Sequence, residues 1–348
     1  MNRKEITEKE NYIRAIEFNC PAWIPITVEF VPGVYKKYGN ALYELISRHP
    51  LVFGAGIRDF NSEDPLYRKG SYYKDDWGCI WHNAQDGIIG QVIEHPLDDW
   101  AKLEDYVPPD PLKQIDWGGI GRTVDEERGL DRPVIATPES FSQGGFFDRL
   151  HFLRGLENLL IDMITGAPEL DVVIEMVLEY NMKYIKKYLQ LNPDVMWFHG
   201  DIGSQHGLMM SLQLFRKYLK PSYRKMFREC RNAGCHVWYS SDGNILEAID
   251  DLVECGVSLH DPQVRANTID GIHKAYKGKL CALVDIDEQM MPVCTPDEIK
   301  NQIKEIVDKL GDRKGGLMIF AAPTPDVPVS TIEAICEGWE QYCFRNWG

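Results

Sequence analysis

Positive charge is what this sequence has least of. Lys and Arg number 38 against 53 Asp and Glu, a formal net charge of −15, which argues against nucleic acid or an anionic membrane as the main partner. The same deficit disfavours a highly anionic substrate unless local basic groups compensate. No apolar run is long enough to span a bilayer. The charged stretch from Met1 to Glu10 holds no apolar signal core. The nine cysteines, at 20, 79, 230, 235, 255, 281, 294, 336 and 343, are odd in number, scattered and without a CxxC pair. That usage predicts reduced, mostly buried thiols in a soluble cytoplasmic protein. Internal repeats, low-complexity tracts and linkers are also missing, as is any GxGxxG or Walker pattern opening a helix after a strand.

What remains is ordinary globular material in quantity. With 44% hydrophobic and 26% charged residues over 348 positions, the chain can bury a large core without disulfides or metals. Short apolar runs at Val134–Thr137, Val195–Phe198, Cys235–Tyr239, Val257–Leu259, Leu280–Val284 and Leu317–Phe320 read as buried parallel strands, with Trp23–Phe30 and Leu51–Ile57 supplying the first ones. Helical patterns separate them at Pro168–Leu189, Gln213–Asn232, Ile245–Cys255 and Pro296–Leu310, the last with Thr295 as N-cap. Before the Pro-rich segment Tyr106–Pro111 lies an irregular, aromatic-rich stretch from Asp59 to Trp100. Alternation of this kind predicts an α/β fold, a (β/α)8 TIM-type barrel forming one domain over 1–348 with an N-terminal elaboration over about 1–110. A doubly wound sheet is the alternative.

Polar clusters end several of these runs. Phe198-His199-Gly200-Asp201 and Tyr239-Ser240-Ser241-Asp242-Gly243-Asn244 each precede a helical pattern, which in a parallel barrel is where active-site side chains emerge. Residues two apart on a strand face one side, so His199 projects with Asp201 and Ser240 with Asp242. Four polar groups at two strand ends describe an enzyme cleft.

In order and spacing, several stretches resemble the uroporphyrinogen decarboxylase superfamily. They are Asp76-Trp77-Gly78 to Trp81, Gly87 to Trp100, Tyr106 with Pro108–Pro111, and Gly200–Gln205 to Phe215. Asp242-Gly243-Asn244, Gly256 to Asn267, and Thr295–Glu298 continue the series. The resemblance runs from about Trp23 to the C-terminus and implies the same barrel. Members that decarboxylate porphyrinogens use an N-terminal arginine-rich segment. Here Pro21 to Tyr35 has no Arg or Lys and presents Glu29 instead, which disfavours a polycarboxylate macrocycle.

The other large branch, the corrinoid-dependent methyltransferases, moves methyl groups between a donor or coenzyme M and the cobalt of a separate corrinoid protein. Several members use zinc held by a His-x-Cys pair and a later Cys. In this chain Ser240 and Asp242 stand at the His-x-Cys positions, and Ala321-Ala322-Pro323 offers no later Cys. Thiol activation by that zinc site is therefore not expected. A different zinc set of His199, Asp242 and His260 stays open.

Asp201, Asp242 and Glu139 are the candidate catalytic groups, and Glu29, Tyr239, Trp77 and Asp285 the candidate substrate contacts. Each has an ordinary reading too. Asp242 suits a turn, Asp201 a helix cap, His199 a satisfied barrel-interior position, Glu139 a helix start, and His260-Asp261 a bonded loop pair. Of Asp285 and Asp287, one would line the cleft and the other support a loop. His236, at a strand start, reads as structural. Trp77, Trp81, Tyr72 and Tyr73 form either an aromatic wall or packing. Asp125–Glu127 is solvated surface.

The resemblance implies methyl transfer from a small methylated donor, such as a methoxyarene or a methylamine-type compound, to the cobalt of a partner corrinoid protein, with O-demethylation of a methoxy compound favoured. A decarboxylase of a small acid and a non-catalytic binding barrel are the alternatives.

Overall fold

The apolar runs form strands largely where their pattern places them. A computed structural model describes residues 6–54, 67–137 and 145–344. Along the chain its strands are β1 (Ile26–Val28), β2 (Tyr72–Lys74), β3 (Ile80–His82), β4 (Gln91–Glu94) and β5 (Ile135–Ala136). Then come β6 (Val195–His199), β7 (His236–Ser240), β8 (Leu259–His260), β9 (Cys281–Asp285) and β10 (Leu317–Ala321). Helices alternate with the later strands, so the class is α/β. Seven of these strands pair in parallel.

The chain divides into two compact units. The first comprises residues 1–71, 83–90 and 261–348. In it β1 pairs with β10 and β10 with β9, all in parallel. Every residue of Cys281-Ala282-Leu283-Val284-Asp285 is buried, as expected for a parallel strand covered on both faces. The helices Pro296–Leu310 and Val329–Tyr342 pack together, with Ile303 and Trp339 fully buried. Thr295 caps the first of them through a reciprocal box with Glu298, as its position before Pro296 predicts.

The second unit comprises residues 72–82 and 91–260. Here β5, β6, β7 and β8 run parallel in that order, with His199 opposite Ser240 at the ends of β6 and β7. The helices Pro168–Leu189 and Lys220–Asn232 occupy their expected places. The second is preceded by a π-helical turn over Phe215–Leu219. Pro221 lacks an N–H and its ring crowds the carbonyl four residues back, so a widened turn is the local solution. Phe227 packs on Phe198 at 4.9 Å between ring centroids and stacks on Tyr223 at 5.3 Å, which seats the helix against β6.

Two expectations need correction. Leu51–Ile57 is not a strand over its described part: Pro50–Phe53 is a helical turn. Pro50 stands at the first helical position, where its fixed φ starts a turn, and Phe53 is buried beneath it. The stretch from Asp59 to Trp100 is not simply irregular either, because β2, β3 and β4 form an antiparallel meander in it, with buried Trp81 opposite Tyr73 and Val92. Among the described residues no helix is long and apolar enough to cross a membrane.

Candidate active site

The ends of β6 and β7 are tied together through backbone N–H groups, two of them bonded to carbonyls and one to a serine hydroxyl. Gly200 N–H donates to Ser240 O at 3.0 Å, Asn244 N–H to Ser204 O at 2.7 Å, and Ile202 N–H to Ser241 Oγ at 3.1 Å. Gly203 and Gly243 make the crossing possible. A Cβ on Gly243 would lie 2.5 Å from Gly203 C, and its φ of +79° suits glycine.

On this frame stand His199, Asp201 and Asp242, joined by a residue from a third element. The helix Phe146–Arg154 begins at Gly145 and carries Asp148 in its first turn. A Cβ on Gly145 would fall 1.2 Å from His199 O, so only glycine lets the helix start come this close to the end of β6. The approach brings Asp148 Oδ2 to 2.7 Å from His199 Nδ1. Asp148 Oδ1 accepts the Asp201 backbone N–H at 3.1 Å and lies 3.4 Å from His151 Nε2. On its other side, His199 Nε2 lies 3.7 Å from Asp201 Oδ1, and that same oxygen accepts the Asp242 backbone N–H at 2.8 Å. The order through space is His151, Asp148, His199, Asp201, Asp242.

The three carboxyls differ in acidity for identifiable reasons. Burial alone pushes Asp148 upward, but hydrogen bonds from His151 and His199 and electrostatic attraction to these imidazoles outweigh it and hold its carboxyl well below the ordinary range. Asp201 is raised, mainly by the protein around it and further by Asp148, while His199 opposes the change. Asp242 keeps an exposed edge, yet crowding by protein and then repulsion from Asp201 push its carboxyl up to about 6. A carboxyl at that value still holds a proton in about a tenth of molecules at pH 7, far more than an ordinary aspartate, and can donate it. Among the described helices none is capped by Asp201; its carboxylate accepts the Asp242 backbone N–H instead.

Other sequence candidates lie elsewhere. Tyr239 is fully buried and spends its hydroxyl on Gly200 O at 2.8 Å, beside Tyr223. It is placed under the site and not as a substrate contact. Trp77 is buried too, its ring 4.7 Å from Tyr180 and 5.1 Å from the Arg149 guanidinium; it is packing and not an aromatic wall. His260 is fully buried, lies stacked at 6.2 Å from the Tyr239 ring, and burial lowers it to about 3, so the imidazole is neutral.

Glu29 and Asp285 belong to the first unit. Glu29 extends the β1–β10 pairing through its N–H to Ala321 O at 3.0 Å, and surrounding protein raises its carboxyl. Asp285 ends β9 and is buried, while Asp287 supports its loop by pairing with Arg265 at 2.7 Å. Glu139 lies outside the described residues.

Among the described residues no group of three or more His, Cys, Asp and Glu side chains is arranged to hold a metal ion. The donors do not fit zinc. His260 is shut inside, no cysteine joins His199 and Asp242, and burial raises the Cys281 thiol, disfavouring the thiolate that zinc needs. The residues sequence reasoning passed over are Asp148 and His151. An acid in a helix's first turn is commonplace, and nothing in the order of residues announces that a glycine some fifty positions before His199 will bring it into contact.

Residues 85–342 match the family model described as uroporphyrinogen decarboxylase (URO-D). No curated protein matches the sequence. Among solved structures, a methyltransferase from Methanosarcina mazei superposes with a TM-score of 0.70 at 15% identity, covering 97% of this chain and 99% of that one. A D-psicose 3-epimerase from Clostridium cellulolyticum H10 reaches a TM-score of 0.43 at 12% identity, over 68% of this chain and 86% of that one, too low to carry an argument. The first likeness is one of fold.

Proposed function

From the premise that the chain belongs to the uroporphyrinogen decarboxylase family, whose fold is a TIM-type barrel, we propose that it is a methyltransferase that demethylates a small methoxy compound. The observation that carries this reading is the pairing of Asp201 with Asp242 at adjacent strand ends, with Asp242 pushed up to about 6. Breaking a methyl–oxygen bond leaves an electron pair on oxygen, and an unassisted phenoxide or alkoxide leaves poorly. A proton delivered to that oxygen as the bond breaks removes the difficulty. Asp242 supplies the proton, which crowding by the protein and the neighbouring Asp201 retain on it to a higher pH than on an ordinary aspartate. A corrinoid carried on a partner protein, when bound, supplies the nucleophile that takes the methyl group. The fold likeness to the Methanosarcina mazei methyltransferase supports this branch of the family over porphyrinogen decarboxylation, as does the lack of Arg and Lys across Pro21 to Tyr35.

The test is turnover of neutral methoxyarenes by the purified chain with reduced cobalamin as methyl acceptor, following phenol release and the cobalamin spectrum. Asp242→Asn is expected to lower kcat by roughly 10²-fold or more, the usual worth of a positioned general acid. Release of carbon dioxide from a small acid without any corrinoid would sink the reading in favour of a decarboxylase. Unchanged turnover in Asp242→Asn would remove Asp242 from the chemistry.

A further inference from the structure

We infer that Asp148 is a positioning residue: it fixes the ring of His199 with the proton on Nδ1 and Nε2 turned to the Asp201–Asp242 pair. The inference rests on the methyl-transfer reading for its consequence, but its geometry stands without it. Asp148 is nearly closed to solvent, with 4% of its side chain exposed. It is surrounded by donors: the Gly145 N–H at 3.4 Å, the Asp201 N–H at 3.1 Å, His151 Nε2 at 3.4 Å and His199 Nδ1 at 2.7 Å. An ionised carboxylate only accepts. A contact of 2.7 Å with a ring nitrogen therefore requires that nitrogen to carry the proton, in the neutral and in the charged imidazole alike.

Two features hold the geometry in place. Asp148 sits in the first turn of the helix Phe146–Arg154, where the free N–H groups favour an anion. Gly145 lets that turn approach the His199 backbone carbonyl closely, while Asp148 holds the ring at Nδ1. The consequence passes along the cluster. Asp148 holds the His199 ring in place, His199 Nε2 lies 3.7 Å from Asp201 Oδ1, and Asp201 in turn favours the proton staying on Asp242. His151, on the other oxygen of Asp148, steadies the anion from outside. Tyr239 stays neutral among them because burial raises its hydroxyl well above the ordinary value.

The experiment is ¹⁵N imidazole NMR of the intact protein, with His199→Gln to assign the resonance. The expected result is a protected proton on His199 Nδ1 in the wild type. In folded Asp148→Asn that proton becomes exchangeable or moves to Nε2, and kcat for demethylation falls about tenfold or more with KM within about twofold, the scale of an orienting partner's loss. A wild-type His199 protonated on Nε2 alone would overturn the inference, as would an Nδ1 proton unaffected by Asp148→Asn. Should Asp148→Asn fail to fold, the wild-type tautomer decides by itself. Should the tautomer be as expected while the wild type demethylates nothing, the methyl-transfer reading falls and the positioning of His199 stands.

Discussion

Burial pushes the carboxyls of Asp148 and Asp242 the same way, yet Asp148 ends low because it has an imidazole nitrogen near each of its oxygens. Its carboxyl is held low, so the stability it contributes is present above the ordinary aspartate range and is lost as pH falls. Asp242 is raised from 3.8 to about 6, which reverses the sign. A raised group favours the folded state below the unfolded value and loses that contribution as pH climbs through the folded one. At pH 7 to 8 the wild type thus folds with an ionised Asp242 that its surroundings disfavour. Asp242→Asn removes the ionisation and is expected to raise the urea midpoint at about pH 7.5, with the gain gone near pH 4. An equal shift at both pH values would mean that the effect is packing and not charge. Stability gained together with activity lost is the pattern of a group placed for chemistry.

At the scale of elements, strand and helix positions were legible wherever an apolar pattern was long or punctuated. Thr295-Pro296 with Glu298 marks a helix start in sequence and in structure alike. Val195–Phe198 and Cys235–Tyr239 end in the polar groups that meet at the site. The errors have local causes. Leu51-Val52-Phe53 is apolar enough for a strand, but Pro50 commits it to a turn, and the β2–β4 meander is too short and too exposed at Tyr72 to show alternation. The half of the site that went unread comes from the docking of one helix start on one strand end, which no periodicity records. That docking depends on Gly145. Gly145→Ala sets a methyl group 1.2 Å from His199 O, and since the obstacle is backbone, relief requires moving the helix. A loss of at least about 2 kcal/mol in denaturant unfolding is expected, within the range of severe backbone effects. The Nδ1 proton of His199 should lose its protection as well. A stable Gly145→Ala protein with an unchanged His199 would show that the helix is not held by this contact.

Across the whole molecule the nine cysteines carry an argument about metal that the site alone does not. All are free thiols; seven are buried, Cys294 is half-buried and Cys20 is exposed. Burial pushes the Cys79, Cys235 and Cys255 thiols up to about 12, 12 and 11, and Cys230 and Cys336 further in the same direction. A thiolate is the form that binds zinc and reacts with disulfide reagents. These residues therefore act as small core side chains, and among the described residues His199 and Asp242 belong to no group of three or more such side chains arranged to hold a metal ion. Two consequences can be measured together on protein purified without chelator. A chromogenic disulfide should modify about one thiol quickly in the native protein, Cys20, with Cys294 slower, and all nine only after denaturation. Elemental analysis should find zinc well below one per chain, and demethylation should survive incubation with a strong chelator. One zinc per chain, lost together with activity in Asp242→Ala, would instead require the donors to rearrange around a metal and would replace proton delivery by Lewis-acid activation as the source of the rate.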